Sequence, residues 1–347
     1  MHCFKNKTIL ITGHTGFQGF WLANALYLSK VKKIVGLGLP PKNYQQKLFR
    51  QLEKSKIINR SYFVDICNKK KFDNVLSLTK PDYIFHLASQ PLVNEGYSNP
   101  HSNYNTNVNG SLNLLEWLIK QKKLIKVIFI TSDKCYAPSL KPHKEHDALG
   151  GLDPYSASKS IQEILVKSYN YSFFEKDKYI KIATARSGNI YGGGDFTPGR
   201  LVPDIIKGIF NNQKITIRNP SYIRPWQYIT DSIRGYLSIG NYLSFDKNKF
   251  DNFNFGPSLK SNVPVNGILN IFNDLTEDPI KINLLKQKKF NENQNLILDS
   301  SKARLKLKWK NNFNLNSGIQ KTYNWYQCYF DNVENIVSYT QKELQKK

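Results

Sequence analysis

Ile9-Leu-Ile-Thr-Gly13-His-Thr-Gly16-Phe-Gln-Gly19 sets three glycines three residues apart, directly after an apolar run and at the opening of a helical stretch, Gly19 to Ser29. A strand that turns sharply into a helix beside an anion needs glycine at each of these places. Gly13 permits the tight turn, Gly16 lets backbone N–H groups approach a pyrophosphate, and Gly19 allows close helix-to-strand packing, while the helix N-terminus attracts the negative charge. Glycine-rich turns often only end strands. Placed in a strand–turn–helix at residue 13, this one reads as a dinucleotide site.

Working outward, short β-branched runs alternate with longer amphipathic stretches, the grammar of a parallel sheet with crossover helices. The spacing predicts strands at Thr8 to Thr12, Lys33 to Leu37, Ser61 to Val64, Tyr83 to Leu87, Lys126 to Thr131 and Ile180 to Arg186. Helices are expected over Gly19 to Ser29, Lys69 to Thr79, Ser102 to Lys120 and Pro154 to Phe174. Asp153 can cap the last of these, and Pro154 suits its first position. After Arg186 the pattern changes to loops rich in Gly, Pro and aromatic residues, such as Tyr191-Gly-Gly-Gly-Asp195 and Arg224-Pro-Trp226, which reads as a smaller, partly irregular second domain. The tail from Asn283 is basic and polar, but apolar stretches at Leu296 to Asp299 and Leu305 to Trp309 argue for order.

The chain has 347 residues, enough for about two domains. With 40% hydrophobic and 13% aromatic residues, disorder of the whole chain is excluded. Fifty Lys and Arg against 26 Asp and Glu leave a net charge of +24, a balance suited to nucleic acid, anionic lipid or phosphorylated substrates, or to a biased surface that carries no function. Cys3, Cys67, Cys135 and Cys328 form no CxxC pair, so neither a metal site nor a disulfide framework is expected, and reduced thiols in a cytosol are the simpler account. No signal-peptide pattern or membrane-length apolar run is seen, and a cytoplasmic protein is expected.

The second strand should end in an acidic residue for an adenosine ribose, yet it reads Ile34-Val-Gly-Leu-Gly-Leu-Pro40-Pro41, with Lys42 beyond the prolines. NAD and NADP cannot be told apart there. Asp65, after the third strand, reads equally as an adenine acceptor or as a turn residue.

Tyr155-Ser-Ala-Ser-Lys159 puts phenol and ammonium on one helix face, an arrangement in which the charge lowers the phenol pKa for acid/base work. Lys126-Val-Ile-Phe-Ile-Thr131-Ser132-Asp133-Lys134 adds a hydroxyl, a carboxylate and an amine at the C-terminal end of a strand, where open α/β sheets hold ligands.

These residues resemble the extended short-chain dehydrogenase/reductases and, within them, the CDP-glucose 4,6-dehydratases. The resemblance is carried by Gly13-His-Thr-Gly-Phe-Gln-Gly19-Phe-Trp-Leu22, His86-Leu-Ala-Ser-Gln-Pro-Leu92, Thr131-Ser-Asp-Lys-Cys-Tyr136, Leu149-Gly-Gly-Leu-Asp-Pro-Tyr155 and Ile223-Arg-Pro-Trp-Gln227, and it runs on to Leu298-Asp-Ser-Ser-Lys-Ala303 and Trp325-Tyr326. Lys134 also fits inverting UDP-GlcNAc dehydratases, which generally lack the Tyr retained at 155. The resemblance implies a Rossmann-like, doubly wound parallel sheet with a smaller interleaved substrate-binding domain: residues 1–187 and 228–258 for NAD, 188–227 and 259–347 for the nucleotide sugar. A strand near Phe253 to Gly256 would return to the sheet.

It further implies NAD as cofactor, held by Gly13, Thr15, Gly16, Phe17, Gly19, Asp65, Ile66, Leu87, Ala88, Gln90, Asn107, Tyr155 and Lys159. Gln90, Asn189, Arg200, Leu201 and Arg224 fall at substrate positions. Catalysis is expected from Ser132, Asp133, Lys134, Tyr155 and Lys159: Tyr155 takes the 4-hydroxyl proton, Lys134 removes the proton on carbon 5, and Asp133 protonates the departing 6-hydroxyl. That base role asks for a neutral Lys134; the competing reading is a Lys134 that merely salt-bridges Asp133. His86 is read as a packed histidine. A homodimer through the helices near Ser102 and Pro154 is implied, acting on CDP-glucose on the way to deoxysugars of surface polysaccharide such as lipopolysaccharide O-antigen, with no nucleic acid or membrane partner. The rivals are another nucleotide-sugar dehydratase, a 4-epimerase, or a non-catalytic dinucleotide sensor that uses the positive charge on nucleic acid.

Overall fold

Thr8–Thr12 forms strand β1, and in the computed structural model, which describes residues 2–217, 219–245, 249–258, 261–284 and 296–346, it lies inside a seven-stranded parallel sheet. The chain continues through Phe17–Leu28 (α1), Lys33–Gly38 (β2), Gln46–Lys54 (α2), Arg60–Phe63 (β3), Lys69–Thr79 (α3) and Tyr83–His86 (β4). Val93–Ser98 (α4), Pro100–Tyr104 (α5) and Gly110–Ile119 (α6) lead to Ile125–Ile130 (β5), Pro154–Tyr169 (α7) and Ile180–Ser187 (β6). Beyond lie Asn189–Tyr191 (β7), Leu201–Phe210 (α8), Ile215–Ile217 (β8), Ile223–Tyr228 (β9), Ile229–Phe245 (α9) and Phe250–Phe255 (β10). Asn262–Pro264 (β11), Val265–Asn273 (α10), Ile282–Leu284 (β12), Ser301–Leu307 (α11), Leu315–Asp331 (α12) and Ile336–Gln345 (α13) complete the described elements.

The main sheet runs β10-β6-β5-β4-β1-β2-β3, and every adjacent pair is parallel. The returning strand expected near Phe253 is its edge, with Phe253 opposite Ala185. Alternate residues of β1 serve two cores: Ile9 and Ile11 pack with Trp21, Phe85 and Ile128 on one face, Leu10 with Val35, Ile84 and Leu114 on the other. A sheet buried on both faces needs continuous apolar strands, which is why β1 and β5 read as unbroken runs. Two small sheets, β11-β9-β7 and β12-β8, stand beside the carboxyl ends of the main strands. The core on the Trp21 side continues into them and into the C-terminal helices through Trp226, Phe272, Trp309 and Trp325.

Two long helices differ from expectation. The stretch read as one helix from Ser102 begins at Pro100, capped by Asn99, passes through a π-helical turn at Asn105–Asn109, and resumes as α6. The wider turn buries Asn107, a use of π-turns that recurs at functional sites. The helix from Pro154 likewise ends in a π-turn at Asn170–Phe174. Of the basic tail, residues 285–295 lie outside the described residues, as does the expected domain boundary at residue 259. Leu296, Leu298 and Trp309 are buried, as the apolar stretches there predict.

Candidate active site

Strand β5 stops at Ile130, and a single 3-10 turn, Asp133–Cys135, follows it. Ser132 caps that turn, its Oγ accepting from Lys134 N at 3.2 Å and donating to Asp133 Oδ1 at 3.0 Å. Asp133 is 2% exposed, and its Oδ2 has no hydrogen-bond partner among the described residues. Burial pushes its carboxyl above the usual range, against the lowering pull of Lys134, the Ser132 hydroxyl and Arg224. Lys134 therefore acts on Asp133 through its charge and not as a hydrogen-bonded partner of Oδ2, while its side chain lines a cleft.

Helix α7 brings the second half of the site. Asp153 Oδ1 accepts from Ser156 N at 3.0 Å and Pro154 occupies the first turn, so the start expected from sequence is the observed one. Tyr155, Lys159 and Glu163 follow on successive turns, all buried. The electrostatics depart from the expected tuning. Burial raises the Tyr155 phenol to about 12; the Ser132 hydroxyl and the Arg200 charge oppose this, and Asp133 and Asp153 add to it. The Lys159 ammonium is directed to Gln162 Oε1 at 3.1 Å, and burial lowers it to about 8 against the opposing charges of Glu163 and Cys135. His86 is packed, as read from sequence: Nδ1 lies 3.0 Å from Thr12 Oγ1 and Nε2 lies 3.3 Å from Ser111 Oγ. Burial and the Lys159 charge lower it to about 3, so it is neutral.

At the glycine turn, Gly13 has φ +74°, and a Cβ there would stand 2.9 Å from Ala88 N at the end of β4. A Cβ on Gly19 would meet Gly13 O at 2.5 Å. Gly16 differs, since the nearest atom to its Cβ position is Gly13 O at 3.5 Å. Gly16 is also the N-cap of α1 and offers no side chain to the first-turn N–H groups. A turn backed closely by β4 and open above Gly16, with uncapped N–H donors, fits a pyrophosphate. Phe17 begins α1, and Thr15 Oγ1 donates to Leu39 O at 3.0 Å. Strand β2 ends at Gly38 without a carboxylate, as its sequence reads.

Other expected cofactor positions have local work. Asp65 is exposed and accepts from Cys67 N at 2.8 Å, a turn-residue role. Ile66 is buried, and a Cβ on Gly110 would lie 2.3 Å from its Cδ1. Leu87 is half-buried, and Ala88 N donates to Thr12 Oγ1 at 3.1 Å. Asn107 accepts from Gln90 N at 2.8 Å and donates to Ser158 Oγ at 2.9 Å, tying the loop after β4 to α7. Gln90 Oε1 accepts from Leu92 N and Asn103 Nδ2.

The expected substrate positions converge. Lys134, Asn189, Arg200, Leu201 and Arg224 line one cleft of about 370 Å³ beside the carboxyl ends of the strands. Asn189 opens β7 opposite Trp226, while Arg200 and Leu201 stand at the start of α8. Arg200 NH1 is held by Asp195 Oδ2 at 2.7 Å, and the Arg224 guanidinium lies 5.1 Å from the Tyr222 ring centre. Gln90 does not line this cleft; its neighbours Pro91 to Glu95 do. Sequence reasoning passed over Glu95, Asp195, Tyr222, Gln162 and Glu163. Only Glu163 left a legible signal there, because it continues the four-residue spacing of Tyr155 and Lys159.

A family model described as GDP-mannose 4,6 dehydratase matches residues 10–322. CDP-glucose 4,6-dehydratase of Salmonella typhimurium is 33% identical over 342 residues, 96% of this chain and 94% of that protein. UDP-glucuronate 4-epimerase of Thermodesulfobacterium geofontis is 26% identical, covering 95% of this chain and 98% of its own. Among solved structures, UDP-glucuronic acid 4-epimerase from Bacillus cereus in complex with UDP-glucuronic acid and NAD aligns with a TM-score of 0.80 at 24% identity, over 92% of this chain and 98% of that one. Among the described residues no helix is long and apolar enough to cross a membrane, and no group of three or more His, Cys, Asp or Glu could hold a metal ion.

Proposed function

The chain belongs to the GDP-mannose 4,6-dehydratase family of extended short-chain dehydrogenase/reductases, a family of nucleotide-sugar enzymes, and from that premise we propose that it is an NAD-dependent CDP-glucose 4,6-dehydratase, a hydro-lyase. The observation that carries the reading is a carboxyl and an amine beyond what oxidation alone needs: a buried Asp133, its carboxyl raised by burial, next to Lys134, which lines the cleft. The Salmonella relative supports the CDP-glucose assignment.

NAD⁺, when bound, would supply reversible hydride acceptance between carbon 4 and carbon 6 of the sugar. The turn from Gly13 to Gly19, with the first-turn N–H groups of α1, would hold its pyrophosphate. Tyr155 accepts the 4-hydroxyl proton, with Ser132 bonding the same oxygen, and the Ser132 hydroxyl and the Arg200 charge oppose the rise that burial imposes on the phenol. The 4-ketone acidifies the proton on carbon 5, which Lys134 removes as base. Asp133, whose carboxyl burial raises, gives a proton to the leaving 6-hydroxyl and water departs; as hydride returns to carbon 6, Lys134 gives the proton back to carbon 5. Arg200, oriented by Asp195, and Arg224 hold the diphosphate. Asn189 bonds sugar or phosphate oxygens. The product, a 4-keto-6-deoxysugar nucleotide, feeds deoxysugar synthesis in the cytoplasm. Two copies pair through the faces of α5, α6 and α7, where Ile161 and Ile164 of α7 stand 39% and 53% exposed.

Incubation with CDP-, UDP-, dTDP- and GDP-hexoses, followed by mass detection of water loss, tests the proposal. CDP-glucose is expected to lose water fastest. Interchange of stereochemistry without water loss would make the chain an epimerase, and salt-steep DNA affinity without turnover would make it a sensor.

A further inference from the structure

Glu163 is buried on α7, one turn beyond Lys159. Its Oε1 accepts from Thr131 Oγ1 at 2.5 Å, and its Oε2 from Thr184 Oγ1 at 2.9 Å and Arg186 NH2 at 2.7 Å. Thr131 is the residue immediately before Ser132-Asp133-Lys134, and Thr184 and Arg186 belong to β6, which runs out towards Asn189. Arg186 NH1 reaches on to Tyr136 OH at 2.7 Å and Glu145 O at 3.0 Å, gathering the loop that follows the 3-10 turn. One carboxylate thus joins the helix that bears Tyr155 and Lys159 to the two strands whose ends bear the remaining site residues.

We infer that Glu163 is a positioning residue of the reaction: through Thr131, Thr184 and Arg186 it fixes α7 against the ends of β5 and β6, and it holds a negative charge beneath the Lys159 ammonium. This rests on the proposed oxidation by Tyr155 and Lys159. A salt bridge needed only for stability could stand anywhere in the core, and an apolar pair would often serve as well. Here it is placed where three elements of the site meet, and both carboxylate oxygens are occupied, Oε1 by a donor just past the end of β5 and Oε2 by two donors from β6. The groups that face Lys159 are the Gln162 amide and Glu163 from α7, the Cys135 thiol from the turn after β5, and the neutral His86 ring from β4. Burial favours the neutral amine; the Glu163 charge opposes it. Its removal therefore lowers the pH at which the ammonium is lost.

The test compares E163Q and E163D with the native protein, with lysine labelled at its ε-carbon with ¹³C and the Lys159 resonance identified by its absence in Lys159→Met. In E163Q the Lys159 titration midpoint is expected to fall by about one pH unit. The alkaline limb of kcat should shift the same way, with KM for the sugar nucleotide changed less than threefold. E163D keeps the charge and should restore the midpoint while leaving kcat reduced. Should E163Q fail to fold, the double variant E163Q/R186M, which leaves no unpaired guanidinium, replaces it; because the Arg186 charge is lost as well, a smaller fall in the midpoint is expected, and no fall overturns the inference. An unchanged Lys159 midpoint and pH profile, with only thermal stability lost, would overturn the inference. The resonance is read without substrate, so a protein that turns over no CDP-glucose still tests Glu163, while a dehydratase with an unmoved midpoint refutes Glu163 alone.

Discussion

Gln162 takes the Lys159 ammonium on its Oε1 at 3.1 Å and passes its own Nε2 to Ser111 Oγ at 2.7 Å. Ser111 faces His86, and His86 faces Thr12, the last residue of β1 before the glycine turn. A buried polar chain therefore links the Tyr155–Lys159 face to the dinucleotide turn, with His86 neutral at its centre.

Tyr155→Phe and Lys159→Met should each lower turnover by about 10²–10⁴-fold, the usual worth of a placed proton acceptor. Tyr155→Phe should leave dinucleotide affinity within about threefold, because the glycine turn is untouched. Steady-state product formation and calorimetric NAD⁺ titration measure both. More than a tenth of native turnover in Tyr155→Phe would remove the phenol from the mechanism.

Asp133 and Lys134 divide the elimination between them, so their variants should fail at different steps. Asp133→Asn is expected to oxidise substrate and exchange the carbon 5 proton with deuterated water while losing less than a tenth as much water as native protein. Lys134→Ala should lose the exchange as well. Mass spectrometry of recovered substrate reads this, and native-rate exchange in Lys134→Ala would assign the base elsewhere.

Gly19→Ala is expected to weaken both folding and dinucleotide binding, since the added Cβ would lie 2.5 Å from Gly13 O and 2.6 Å from His14 Cα, both backbone atoms that cannot swing aside. Gly16→Ala meets nothing closer than 3.5 Å, so its thermal midpoint should stay near native while NAD⁺ affinity falls. Thermal melts with and without NAD⁺ separate the two; equal losses of affinity and stability in both variants would contradict the open-above-Gly16 reading.

Buried histidines set the acid limit of stability. His86 is lowered to about 3 and His14 to about 4, chiefly by burial, from an ordinary value near 6.5. Between these values and 6.5 the unfolded chain binds more protons than the folded one, so stability is full above pH 6.5 and declines as pH falls. By pH 5 each ring costs about 2 kcal/mol. His86→Gln should take away the His86 share of the decline between pH 6.5 and 5 in urea titrations, with His14 and the buried His143 supplying the rest. An unaltered slope would show that other groups govern the acid limb.

The parallel sheet was legible because its central strands, such as β1, β4 and β5, are apolar on both faces and the turns carry residues suited to them: glycine at 13, the Asp153-Pro154 start of α7. Tyr155, Lys159 and the Ser132-Asp133-Lys134 run were legible for the same local reason, a spacing or a strand end. Glu163 needed the fold. Its spacing from Lys159 places it on the right face, but the partners that give it meaning come from positions 32 residues before it and 21 and 23 after it.

What the sequence by itself determined is the local grammar: which stretches are strands and helices, where the glycine turn lies, and which side chains can move a proton. Backbone sterics and apolar periodicity act over a few residues, so they are written in neighbouring letters. The tertiary structure alone decided that Lys159 points to Gln162, that burial holds Tyr155 near 12 and raises Asp133, and that Arg200 is gripped by Asp195 in the cleft with Arg224. Those outcomes depend on how much water and which distant charges surround each group, and burial belongs to the packed chain and not to any stretch of it.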